Sequence, residues 1–410
     1  MDEIHDFHNF GSKLQQVSLL PQVLDYVQWQ QAVNDAEAAG EALPAAPQWA
    51  PISINLDVTT ACNYRCDHCI DWDILNSGVK HKEEELFDSL KVMADRGLKS
   101  VILIGGGEPT VYPRFVDVVR FLKQELNQQV AVVSNGGRND RILEAAEYFT
   151  SGDWVRLSLD SGNDDTFQAM HKPRQPVTLD EICEWVPKIK DKNPDVQMGF
   201  SFIVTWKGAQ RDDAKIIENI NELVIAAKRA KQYRFDYISI KPFLIRAEEN
   251  GSEVMDPAKA QEEIGIIVAK IKAAVAEARE LEDETFKVVE STNLRLLETG
   301  DWQQYTQQPK QCHMQFFRQV LTPHGVFNCP VYRSVPNAMV AARNGYKDAE
   351  HACDAHEKTG KIIRRFDASH ECREVTCLYN SANWWIQDLI ERPEKLAELQ
   401  ATEVKDDYYL

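Results

Sequence analysis

Between residues 52 and 242 the chain alternates short apolar runs with amphipathic stretches, and this alternation restricts the fold more than any other feature. ISINLDV, SVILIGG, VAVVSNGG, WVRLSLDSG, MGFSFIVTW and DYISIKP read as six strands. The stretches between them, EELFDSLKVMADRG, PRFVDVVRFLKQEL, RILEAAEYF, TLDEICEWVPKIKD and AKIIENINELVIAAKRAKQ, read as helices. In the first of these Leu86, Phe87, Leu90, Met93 and Ala94 share one face, and Gly97 stands where a helix end takes a left-handed residue. Pro113 opens the second, a position that needs no amide hydrogen. Apolar strands joined by helices pair in parallel through right-handed crossovers. Six such units fit an α/β fold, a partial (β/α)6 TIM-like barrel whose functional residues gather at the C-terminal strand ends.

The flanking segments behave differently. Residues 1–50 read as an N-terminal helical extension, VLDYVQWQQAVNDAEAAGEAL, followed by the stiff linker PAAPQWAP. The barrel is expected over 51–245, and a helical connector over 246–311. The connector's main helix, 256–282, has Ile264, Ile267, Val268 and Ile271 as its apolar stripe. From 312 to 410 comes a cysteine-bearing segment with no βα rhythm up to about 380, then the closing helix SANWWIQDLIERPEKLAEL.

Sixty-four acidic against forty-six basic residues give a formal net charge of −18. A nucleic-acid binder needs a basic footprint to displace counterions, so no nucleic-acid partner is expected. No apolar run reaches the length of a membrane span, and the acidic start MDEIHDFHNF lacks the pattern of a secretory signal. A cytoplasmic protein without membrane contact is the expectation. The nine cysteines are an odd number, and a reducing compartment disfavours disulfides, which leaves metal ligation or burial.

ACNYRCDHCIDW packs Cys62, Cys66 and Cys69 into the loop after the first strand, with three and then two residues between them. Structural zinc takes four ligands and usually pairs one CxxC with another. Three thiolates instead suit a cubane whose fourth iron stays open to an exogenous ligand. After the second strand comes GGGEP, residues 105–109, in which glycines permit close backbone approach and Glu108 offers an anion to an ammonium group.

With these motifs on successive strand ends, residues 50–245 resemble the radical S-adenosylmethionine (SAM) superfamily. The resemblance implies that Cys62, Cys66 and Cys69 hold a 4Fe–4S cluster whose open iron chelates the methionine amine and carboxylate of SAM. Gly105, Gly106, Gly107 and Glu108 would meet the amine, and His68 matches a usually aromatic position near the adenine. SNGG, with Ser134 and Asn135, resembles the third strand end of the family. SLDSG resembles its ribose-contacting strand end and implicates Ser158 and Asp160. An electron donor such as flavodoxin or ferredoxin is implied as a partner.

Beyond the barrel, CHMQFFRQVLTPHGVFNCP reads as a hairpin with Cys312 and Cys329 on either side of its turn, and CREVTC supplies Cys372 and Cys377. Four thiolates can hold a second, auxiliary 4Fe–4S cluster, or a zinc ion. The arrangement resembles the shortened auxiliary domain known as twitch, and more distantly the SPASM domain. Three residues separate Gly325 from Cys329 where that pattern has four, and the terminal run of cysteines typical of SPASM is absent. Cys353 is a fifth thiol, either a ligand in place of Cys372 or a bystander, and Cys183 reads as core.

Two readings follow. In the preferred one the chain is an enzyme that oxidises, epimerises or cross-links its substrate, with the auxiliary cluster accepting an electron. The substrate is a carbohydrate-like small molecule or a ribosomal peptide. An N-terminal segment too short for a winged peptide-binding domain favours the small molecule. The contrasting reading is a non-catalytic Fe–S or zinc scaffold.

Overall fold

The structure is a computed structural model that describes residues 8–211, 214–247, 251–255, 264–399, 401–402 and 407–410. The acidic start of the chain and residues 256–263 of the expected connector helix lie outside the described residues. Two compact units form, one from Leu56–Lys80 with Ile102–Trp302, the other from Met1–Asn55, His81–Val101 and Gln303–Leu410.

All six expected strands form, each shorter than its apolar run. They are β1 (Ser53–Leu56), β2 (Ser100–Leu103), β3 (Gln129–Ser134), β4 (Trp154–Ser158) and β5 (Gln197–Val204), then β8 (Tyr237–Pro242) after a hairpin of β6 (Gln210–Arg211) with β7 (Ala214–Lys215). A second small hairpin pairs β9 (Ile245–Arg246) with β10 (Glu253–Val254). In the 102–302 unit the strand order is β2-β3-β4-β5-β8-β11, where β11 (Lys287–Glu290) is a further parallel strand that the sequence reading assigned to a connector. Register pairs Val133 with Arg156, Arg156 with Gly199, and Gly199 with Tyr237.

Burial alternates along β4. Val155 and Leu157 are fully buried, whereas Trp154, Arg156 and Ser158 keep partial exposure. One face of β4 is therefore apolar and packed, and its other face is partly exposed and carries Trp154, Arg156 and Ser158.

Two expected helices are changed. The stretch 178–191 forms Leu179–Cys183 and Trp185–Lys192, with a break at Glu184. Pro187 explains it, because it has no amide hydrogen to return to the Cys183 carbonyl. Of the stretch 214–232 only Leu223–Gln232 is α-helical, after a 3-10 turn at Ile220–Glu222. The Asn219 side chain is the cause. Its amide donates to the carbonyls of Asp160 and Ile203, and its oxygen accepts from Thr205 N, all at 2.8 Å, which ties this segment to strand ends instead. The connector helix is described over Ile264–Arg279.

In the other unit the helix Leu20–Ala39 ends at left-handed Gly40 and presents Val23, Tyr26, Val27 and Val33 to a core shared with Phe316, Phe317, Ile363 and Ile386. β12 (Arg318–Thr322) and β13 (Gly325–Phe327) form the expected hairpin, and β14 (Met339–Ala341) adds to it. Thr322 Oγ1 accepts from His324 N and Gly325 N, which fixes the turn. Helix Ala349–Arg365, capped by Asp348, was not expected. The closing helix runs Asn380–Glu391 and stops ahead of Pro393. Among the described residues no helix is long and apolar enough to cross a membrane.

Candidate functional site

The loop after β1 has no regular secondary structure, so hydrogen bonds to its neighbours set its shape. Arg65 N and Asp67 N donate to the carbonyls of His171 and Met170, and Arg174 N donates to Asn63 O. Asn76 Oδ1 accepts from Cys62 N at 3.1 Å. On the far side Arg211 Nη1 donates to Cys69 O, and Arg246 Nε to Ile70 O. The loop is thus held at both ends by elements of its own unit.

Cys62, Cys66 and Cys69 are each half-buried on it. Burial pushes the Cys62 thiol up to about 11 and the Cys69 thiol to about 12. Cys66 rises well above the ordinary thiol value through burial and through Cys69 and Cys62 beside it. Thiols so placed stay neutral and inert without a metal, and a metal ion reverses that balance.

The glycines of GGGEP act by close approach. Gly105 and Gly106 both have positive φ, and a Cβ on Gly106 would fall 2.8 Å from Asp57 Oδ2. On Gly107 it would fall 2.4 Å from the Ala61 carbonyl oxygen, which accepts from Glu108 N at 2.8 Å. This seats the second strand's loop directly against the first cysteine's approach.

Glu108 was expected to present a free anion, and here it is fully engaged. Its carboxylate accepts from Thr110 N and Oγ1, from Ser134 Oγ at 2.8 Å and from Asn135 N at 2.7 Å. Burial raises its pKa, and these donors oppose the rise. Ser134 is therefore a tether for Glu108. Asn135 bridges to the cysteine loop through Asn63 Oδ1, with its Nδ2 3.9 Å from Cys62 Sγ.

His68 and Asp160, carried to the adenine and ribose by resemblance, meet each other. His68 Nε2 donates to Asp160 Oδ2 at 3.0 Å, and Ile203 N donates to Oδ1 at 2.7 Å. His171, which no local spacing marked, stands 3.4 Å from the same carboxylate. Its Nε2 also faces the Leu159 carbonyl, an acceptor only, so that nitrogen carries the proton and Nδ1 faces Cys66 Sγ at 3.3 Å. Burial works against the Asp160 charge, but hydrogen bonds from His171 and His68 hold its carboxyl below the usual range. Among the described residues, His68, Asp160 and His171 each bring one ligand atom within 4.8 Å of the others. The mutual hydrogen bonds account for that closeness without an ion. Of the expected contacts, the Ser158 hydroxyl has no hydrogen-bond partner among the described residues.

The second thiol set lies in the other unit. Cys312 follows the loop into the hairpin and has Asn383 Nδ2 3.5 Å from its sulfur. Cys329 caps the 3-10 turn Pro330–Tyr332, and Cys372 ends the short helix Ala368–Glu371. Burial raises the Cys372 thiol first, then Cys312, Cys377 and Cys329 around it. Cys377 is raised by burial, Cys312 and Cys329. These four thiols therefore share one location. Cys353 is exposed on the helix Ala349–Arg365, with Arg96 Nη2 3.9 Å from its sulfur. Cys183 is buried in the core.

With this geometry in place, the similarities to known proteins are specific. Residues 56–220 match the model of the Radical SAM superfamily, and that stretch contains the cysteine loop, GGGEP and both histidines. An S-adenosylmethionine-dependent nucleotide dehydratase of Thermoplasmatales archaeon (strain ISO4-H5) is 33% identical over 111 residues, 27% of this chain and 38% of its own. A protein of the same description from Selenomonas ruminantium is 24% identical over 165 residues, 39% of this chain and 58% of its own. The chain thus spans less than two thirds of either relative. Among solved structures, Streptococcus suis SuiB shares the fold with a TM-score of 0.53 at 11% identity, over 85% of this chain and 81% of that one. SuiB has also been crystallised with S-adenosylmethionine and with its precursor peptide SuiA.

Proposed function

We propose that this chain is a radical SAM enzyme with two 4Fe–4S clusters. Cys62, Cys66 and Cys69 would hold the one that binds S-adenosylmethionine, and Cys312, Cys329, Cys372 and Cys377 the auxiliary one. The observation that carries the reading is the pair of thiol sets. Each is gathered by one unit, and among the described residues neither packs its sulfurs into the tight donor set of a single ion. A cubane spreads its thiolates over separate corners, which suits both sets.

Cluster and SAM together supply a 5′-deoxyadenosyl radical that takes a hydrogen atom from an unactivated C–H bond. The chain's part is positioning. Gly106 and Gly107 bring backbone close to the cysteine loop, and Glu108 locks the β2 and β3 loops together. His171 and Asn135 stand beside Cys66 and Cys62. The Ser158 hydroxyl is free to meet a ribose. His68 and Asp160 brace the loop from the β4 end.

The substrate we favour is a small molecule that is oxidised, epimerised or cross-linked, with the auxiliary cluster taking up an electron and a flavodoxin or ferredoxin supplying the first one. The curated relatives are named for nucleotide chemistry, which supports a small molecule over a peptide such as SuiB binds. Anaerobic reconstitution followed by reduction with dithionite tests the reading. Formation of 5′-deoxyadenosine from SAM is the expected result, and none from a protein carrying its full iron would leave a scaffold.

A further inference from the structure

A row of polar side chains crosses one face of β4, β5 and β8, and the thiol site leaves most of it unused. Register pairs Ser158 with Ser201 and Ser201 with Ser239, so these hydroxyls stand in one row on neighbouring strands. Side chains two positions apart on a strand share a face. Arg156 therefore lies one step before the row on β4, and Lys241 one step beyond it on β8.

Among the described residues, neither cation nor the hydroxyls of Ser201 and Ser239 have a hydrogen-bond or ion-pair partner, although Arg156 stacks on the Trp154 ring 5.1 Å away. Arg156 Nε is wholly buried and unpartnered. Gly199, opposite Arg156 in the register, leaves room for the Tyr237 ring, whose Cζ a Cβ there would meet at 2.3 Å, and the Tyr237 phenol acts on the Arg156 charge. Asp160 is the carboxylate that acts on both cations, and its oxygens are taken by His68, His171 and Ile203 N. Burial, then the charge of Arg156, pushes Lys241 well below the ordinary lysine value.

Arg156 and Lys241 are half-buried, and their proximity disfavours the Lys241 charge, so an anion placed between them would relieve both. The methionine end of SAM would lie by the loops of β1 to β3. β8 is three strands from β3, about 14 Å along the sheet at ordinary strand spacing. A single carboxylate also needs only one of the two cations. We propose that Arg156 and Lys241, with Ser201 and Ser239 between them and Ser158 at the row's edge, form a subsite for a phosphate group of the substrate. The attribution of that anion to a substrate rests on the radical SAM reading. The subsite itself does not.

The test titrates reconstituted protein with inorganic pyrophosphate by calorimetry. Wild type binds, and Arg156→Gln and Lys241→Met each raise Kd about tenfold or more, as loss of a charge-assisted hydrogen bond does. Arg156→Lys recovers part of the loss. Competition by a nucleoside triphosphate and by a hexose monophosphate separates a nucleotide from a sugar phosphate as the source of the group. Thermal melts show whether each variant folds, and Lys241→Met alone suffices if Arg156→Gln does not. Absent pyrophosphate binding by wild type, or equal Kd in folded variants, overturns the proposal. SAM affinity lost in the variants with no change toward pyrophosphate also overturns it, by giving the cations to the methionine carboxylate. SAM cleavage by wild type is read separately, so its failure sinks the radical reading and leaves the pyrophosphate result intact.

Discussion

His68 Nε2 donates to Asp160 Oδ2 at 3.0 Å, and through this bond the cysteine loop is fastened to the end of β4. Asp160 has a left-handed backbone, φ 51°, and both its oxygens are buried and engaged. The pair acts as a brace between the cysteine loop and the β4 end. Asp160→Ala leaves His68 and the Ile203 amide without their acceptor, while His171 keeps the Leu159 carbonyl. We expect a loss of about 2–3 kcal/mol in denaturant unfolding, the range for orphaned buried polar groups. Iron at the first site should fall with it. Unchanged stability and iron content would refute the brace.

Glu108→Gln separates two roles. The carboxylate takes four donors from the β2 and β3 loops, and an amide can accept with one oxygen only. Its NH2 group then faces a donor. The melting temperature should fall, by the equivalent of about 1–3 kcal/mol. A full-strength fold with weakened SAM affinity would instead give Glu108 to the methionine ammonium.

Elements are legible in the sequence where their signals are local. The six apolar strands and the CxxxCxxC loop are written in contiguous residues, so they were legible. β11 was not, because Val288 and Val289 are its only apolar residues, set between Lys287 and Glu290. The helix Ala349–Arg365 buries mainly small residues (Ala352, Ala355, Thr359 and Gly360), so it reads as polar. At Gly360 a Cβ would already stand 3.0 Å from the Trp29 ring, which shows why that face must be small. His171 lies 105 residues from Cys66, and no spacing rule links them. The same holds for the free cations of β4 and β8, which only strand register brings to one face. Glu108 was legible as a site residue, but its four donors come from loops whose approach had to be seen.

Acid should weaken the 303–410 unit through His356. Its ring is buried with Nε2 unpartnered, and burial, then the Arg96 charge, depresses its pKa from 6.5 to about 4. The folded chain thus prefers the neutral ring. Stability from this group is fully present above about pH 6.5 and is lost as pH falls toward 4, up to about 3 kcal/mol. His356→Phe removes that proton uptake. The difference in unfolding free energy between wild type and variant should therefore change between pH 7 and pH 4.5. A difference constant with pH would rule His356 out.

The last prediction concerns the auxiliary thiols. Cys312 and Cys329 both raise the Cys372 and Cys377 thiols, whereas Cys353 is exposed beside Arg96. Replacing Cys62, Cys66 and Cys69 together with Ala should remove one cluster and leave about half the iron and sulfide. In that background Cys312→Ala or Cys377→Ala should remove the remainder, and Cys353→Ala should remove none. Thiolate ligation also ties the hairpin, the Ala368–Glu371 turn and the closing helix together, because binding energy of this kind is folding energy. Chelation should then raise amide exchange at 312–332 and 368–380 before it does in β3 to β5. Zinc in place of iron and sulfide in the triple variant would make the second set a structural clip and remove the electron acceptor from the proposed reaction. Iron retained after Cys312→Ala but lost after Cys353→Ala would exchange their assignments.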